Sequence, residues 1–141
     1  MSYAIQTSAQ NKLVTASTAQ VTLCQFDITA LPGVGRGLAT PFVILAEIKV
    51  LMTASPTPDH SSRVWRHIQC WERTGFAPAV ALTLLGTQFT DDTSGGVIGS
   101  STQASPTYDV SGTTLGRVRI IPMASSSMTW FTRMDLTILQ G

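Results

Sequence analysis

Charge is scarce in this chain. Only 12% of its 141 residues are Asp, Glu, Lys or Arg, about half of what an ordinary soluble domain carries. The formal net charge is +1, so nothing electrostatic keeps copies apart and close packing against like chains is tolerated. Nine cations are scattered along the chain. A nucleic-acid binder gathers Lys and Arg into one basic face, so no nucleic-acid partner is expected. Long apolar runs are also missing. The longest, Phe42 to Met52, is interrupted by Glu47 and Lys49 and falls well short of the roughly 20 residues that a membrane helix needs. No membrane partner is expected, and Met1 to Gln20, with one Lys and no continuous apolar run, does not read as a secretory signal.

Cysteine and histidine are equally sparse. Cys24 and Cys70 lie 46 positions apart, in no metal or redox spacing, which leaves two buried thiols or one bridge, with the burial habit of free cysteine favouring the thiols. His60 and His67, with Asp59 beside the first, lack the three or four convergent ligands of a metal site. No metal or other cofactor is expected. Gly33-x-Gly35-x-Gly37 has neither the Lys-Ser/Thr ending of a phosphate loop nor dinucleotide spacing, and reads as a turn. Asp91-Asp92-Thr-Ser-Gly-Gly96 resembles the start of a calcium loop. Thr102 stands where that loop requires Glu, so turn capping by the Asp side chains is the simpler account. No Gly-x-Ser-x-Gly elbow is present, and eight acids without a motif, Glu47 and Glu72 among them, indicate no paired-carboxylate chemistry. The expectation is that the chain is not an enzyme.

What the chain has in abundance is Ser (14) and Thr (20), together with alternation. Phe42 to Thr53 places Ile44, Ala46, Ile48, Val50 and Met52 on one face, and Trp130 to Leu139 does the same with Trp130, Thr132, Met134, Leu136 and Ile138. Period two means strand. Val21 to Ile28, Arg63 to Arg73, Val80 to Phe89, Tyr108 to Val110 and Leu115 to Ile121 read as further strands, the alternation of Arg63 to Arg73 being broken enough to expect a bulge. Asp91 to Ser105 reads as a long partner-facing loop that includes Asp91 and Asp92. The predicted fold is all-β, an antiparallel sandwich or jelly roll, ending in a long hairpin of Leu115–Ile121 against Trp130–Leu139. Residues 1–19 read as an arm held by a neighbour or added to a sheet edge, and 20–141 as a single sandwich domain.

In that hairpin Arg117 and Arg119, with Arg133 and Asp135 on the returning strand, would share one outer face, as cross-strand pairs or as a subunit contact. Trp130 and at least one of Trp65 and Trp71 are expected in the core. Trp65, Trp71 and Phe131 are expected to make contacts outside it, and the tryptophans could also stack on a host glycan.

The segment Tyr108-Asp-Val-Ser-Gly-Thr-Thr-Leu-Gly-Arg-Val-Arg-Ile-Ile121, followed by a small-residue loop and Met128-Thr-Trp-Phe-Thr-Arg-Met-Asp-Leu-Thr-Ile138, resembles β-rich structural domains of tailed-bacteriophage virion proteins. With a strand like Arg63 to Glu72 and a Gly86-Thr-Gln turn, the likeness spans roughly residues 42 to 139. This chain departs from the pattern at Gly116 and at Ile121-Pro-Met. The resemblance implies a virion component made in the host cytoplasm, a homo-oligomer and often a trimer, of capsid-decoration, head-fibre or tail-fibre type, whose partners are other virion proteins.

Overall fold

The alternating segments become strands β1 (Tyr3–Thr15), β2 (Val21–Asp27), β3 (Phe42–Ser55), β4 (Ser61–Arg73), β5 (Thr83–Gly95), β6 (Thr107–Ser111), β7 (Leu115–Ile120) and β8 (Ser127–Gln140) in the computed structural model. The structure describes residues 3–30, 41–55, 61–73, 82–95, 105–122 and 127–140. Two antiparallel sheets form, a five-stranded one in the order β1-β8-β3-β4-β5 and a three-stranded one in the order β2-β7-β6. Their inner faces meet as a β-sandwich. Phe26 of β2 meets Trp71 of β4 edge to face at 5.0 Å, Tyr108 of β6 lies against His67 and Trp71, and Asn11 Nδ2 of β1 donates to the Leu23 carbonyl at 2.8 Å.

The core follows from parity. The even residues of β3 from Phe42 to Ala54, and of β8 from Met128 to Ile138, are buried, while their odd neighbours form the outer face. From the other sheet come Leu23, Cys24, Phe26, Val118 and Ile120. Leu23 and Cys24 are consecutive yet both buried, because the β2–β7 register shifts between Thr22 and Cys24 and the bulge turns two neighbours inward.

Two expectations are corrected, and a third, the arm, takes one of its two readings. The closing hairpin does not form: β7 pairs with β2 and β6, while β8 pairs with β1 and β3. Both strands put apolar residues inward, and alternation alone does not say whether two such strands share a sheet or face each other across the core. Second, of the two readings given for the arm, the structure shows addition to a sheet edge: Tyr3–Thr15 is the edge strand of the larger sheet and pairs with β8 through all 13 residues, from Tyr3↔Gln140 to Thr15↔Met128. Its Ile5, Ala9 and Leu13 pack against the core, a spacing obscured by the polar residues between them. Third, Asp91 and Asp92 are not in a loop but in β5, opposite Arg66 and Trp65. The rest of that expected loop, 96–104, lies outside the described residues, as do His60 and the Gly33–Gly37 turn.

Gly116 sits opposite Phe26, and a Cβ there would run into Phe26 Cζ and Cε1. The glycine leaves room for the tip of the Phe26 ring, which meets Trp71 edge to face, a contact worth about 0.5–1.5 kcal/mol beyond its buried area. Gly116→Ala is expected to cost about 1–3 kcal/mol in urea unfolding, and adding Phe26→Leu to recover part of it; an additive double variant would refute the clash.

Trp65 and Trp130 stack at 5.9 Å, but their indole N–H groups differ. That of Trp130 donates to Thr15 Oγ1 at 3.0 Å, while that of Trp65 is buried with no acceptor among the described residues. Trp130→Phe should therefore destabilise by about 1 kcal/mol more than Trp65→Phe. Equal losses in paired thermal melts would contradict this.

Candidate functional site

The sandwich buries the aromatic residues first in line for outward contact. Trp65 and Trp71 are 0% exposed, because β4 turns Trp65, His67, Gln69, Trp71 and Arg73 toward the second sheet and Val64, Arg66, Ile68 and Glu72 away from it. This inner set is half polar, which hid it from a count of apolar residues. Several of its polar groups find partners inside. His67 Nδ1 bonds the Tyr108 hydroxyl, Trp71 Nε1 donates to the Asp109 carbonyl at 3.3 Å, and the Arg73 guanidinium lies over the Phe42 ring at 4.9 Å. With Trp130 also at 0%, none of the three indoles is a surface on which a sugar could stack.

The four expected charges separate onto opposite outer faces. Arg117 and Arg119 lie on the three-stranded sheet, where β6 supplies their partner. Arg117 donates through Nε and Nη2 to the two carboxylate oxygens of Asp109, each at 2.8 Å, and Arg119 Nη1 stands 3.8 Å from Asp109 Oδ2. The hydrogen bonds from Arg117 hold the Asp109 carboxyl below its ordinary value, with the charges of both arginines adding to the effect. Arg133 and Asp135 lie on the five-stranded sheet and pair along one strand at 3.0 Å. The cross-strand pairing expected between β7 and β8 is absent because those strands are in different sheets.

The outer face of the five-stranded sheet is the larger of the two and chemically mixed. Phe131, exposed, shares it with Val14, Leu45, Leu51 and Leu139. These make up five of the seven exposed large hydrophobic residues among the described residues, so the patch is concentrated on one side rather than scattered. Register groups the charges between them. Arg133 is opposite Lys49, which is opposite Arg66, and in the next row Asp135 is opposite Glu47. An open groove of about 630 Å³ runs beside them, lined by Gln6, Ser8, Glu47, Arg133 and Asp135 among others. Cross-strand geometry was the signal that sequence reading lacked: Lys49, Arg66 and Glu47 join Arg133 and Asp135 only once the order β8-β3-β4 is known.

Cys24 and Cys70 are both free. Cys24 faces the core and burial raises its thiol, while Cys70 is half-exposed on the outer face of β4. Among the described residues no three His, Cys, Asp or Glu side chains gather as metal ligands would, and no helix is long and apolar enough to cross a membrane.

No family model and no curated protein matches the sequence. Among solved structures, the tailspike protein of Acinetobacter baumannii phage AM24 aligns at TM-score 0.48 and 12% identity, over 94% of this chain and 26% of that one. The chain thus spans about a quarter of the tailspike's length.

Asp109 generates a pH prediction. Its depressed folded value means that its contribution to stability is complete above the unfolded value, near 4, and is lost as pH falls through the lower folded one. Asp109→Asn should lower Tm by about 2 °C at pH 7, with the two melting curves converging as pH falls through the depressed folded value. A difference that persists there would assign the loss to packing rather than charge.

Proposed function

We propose that this chain is a non-enzymatic structural component of a tailed-phage virion, working by packing on the capsid or tail surface in the manner of decoration and fibre-type proteins. The observation that carries the proposal is the outer face of the five-stranded sheet. It is a broad strand-built surface on which Val14, Leu45, Leu51, Phe131 and Leu139 are exposed among ordered charges. Exposed apolar area concentrated in this way marks a protein-contact surface. The class of assembly comes from the resemblance of residues 42–139 to virion structural domains, and the low net charge suits a component packed closely among neighbours.

Leu51 and Phe131 are directly opposed on β3 and β8, so one pair of substitutions can alter the surface without touching the core. In density-banded virions of a phage encoding the chain, antibodies to it should label intact particles. Leu51→Asp combined with Phe131→Asp should reduce its incorporation at least about fivefold, since each buried apolar contact is worth a kcal/mol or more. Recovery of the wild-type chain only from the unassembled fraction would refute the proposal.

A further inference from the structure

The charges on this outer face are sorted into rows, and the rows identify a partner. Reading across β8, β3 and β4, Phe131, Leu51 and Val64 form an apolar row, and Arg133, Lys49 and Arg66 a cationic row. Asp135, Glu47 and Ile68 form an acidic row, and Thr137, Leu45 and Cys70 a second, mainly apolar one. Like charges directly opposite each other on neighbouring strands destabilise an isolated sheet. Here the arrangement places three cations abreast and two carboxylates abreast, partly relieved by the Arg133–Asp135 pair along β8.

We propose that this face is an isologous interface with a second copy of the chain, related by a twofold axis that lies in the interface and crosses the strands between the cationic and acidic rows. This rests on the structural reading above and names its partner. A rotation about that axis exchanges the rows. Arg133 comes to lie over the partner's Asp135 and Lys49 over the partner's Glu47, while Leu51 meets the partner's Leu45 and Val64 the partner's Cys70. On the two central strands one operation therefore matches both cations to carboxylates and Leu51 to Leu45, while Arg66 faces the partner's Ile68 and Phe131 the partner's Thr137. Turning the second copy about an axis parallel to the strands sets cations on cations, so charge alone selects the first orientation. Sheets that stack face to face keep their strands within about 30°, which preserves the row match near the central strands β8 and β3.

The area is sufficient. Four strands about 4.8 Å apart and five outward rows about 6.7 Å apart give roughly 640 Å² per copy, or about 1,300 Å² in total, within the standard range for specific interfaces.

Sedimentation of the full chain tests this. At about 100 µM and low salt the wild type should sediment at twice the chain mass, and raising salt to about 0.5 M should weaken association about tenfold as the facing rows are screened. Lys49→Glu with Arg133→Glu makes both rows acidic, and Glu47→Lys with Asp135→Lys makes both basic. Each double variant alone should be monomeric, and an equimolar mixture should recover the dimer. All four positions lie on the outer face, and a thermal melt of each variant verifies its fold. A wild type that stays monomeric or forms trimers overturns the proposal, as does a variant that dimerises alone or a mixture that fails to dimerise. Should a variant not fold, the wild-type mass and salt series decide the question alone. A monomeric wild type that is nonetheless found on virions would reject the twofold face and leave the structural reading standing.

Discussion

The structure depends on the pairing of β3 with β8. The two strands run antiparallel over 14 positions, from Phe42↔Gln140 to Ser55↔Ser127, and their inward residues build most of one wall of the core. Every other strand of the five-stranded sheet is placed by this pair. β1 adds to the free side of β8, β4 to the free side of β3, and β5 to β4. The pairing is also the costliest to form, because it joins the last strand to one that begins some 85 residues earlier, and β1 cannot dock until β8 is present. Loop closure must be met before these contacts stabilise anything, so slow folding set by non-local pairing is the kinetic consequence of this strand order.

The same pair explains how much of the fold was legible. In β3 and β8 alternation is nearly perfect, and the division into buried and exposed residues agrees with the sequence residue by residue. β4 was harder because its inward row contains His67, Gln69 and Arg73 beside two tryptophans. Those polar groups are tolerated in the interior by specific partners, such as the Tyr108 hydroxyl on His67 and the Phe42 ring under Arg73, and no pattern in β4 announces a partner on β6 or β3. The mistaken closing hairpin has a related cause. Leu115–Ile120 and Ser127–Gln140 are neighbours in sequence and both face inward, and nearness favours a hairpin unless the second strand has a longer partner. β3 is that partner, with 14 paired positions against the six that β7 has.

Glycine carries a second lesson of this kind. Gly116 breaks the alternation of β7, and in the sequence it reads as a defect in the strand. In the sandwich it is the position at which two sheets come close enough for Phe26 to lie between β7 and Trp71. A residue that weakens a strand considered alone becomes the one that lets the layers approach, and only the pairing Phe26↔Gly116 reveals it.

The two outer faces handle charge in opposite ways, and this separates their roles. On the three-stranded sheet Asp109 sits between Arg117 and Arg119 and is satisfied within one chain by two hydrogen bonds and a nearby second guanidinium. Such a cluster fixes the register of β6 on β7 and presents little uncompensated field to a neighbour. On the five-stranded sheet the described residues hold one such pair, Arg133 with Asp135, both about half-exposed, while Lys49 and Glu47 extend the same signs sideways. Charges arranged in separated rows of opposite sign keep a directional field that neutralised clusters lose. Exposed leucines and Phe131 stand on either side of the rows. Thus one side of the sandwich is saturated by its own chain, and the other carries both the apolar area that drives association and the charge order that orients it.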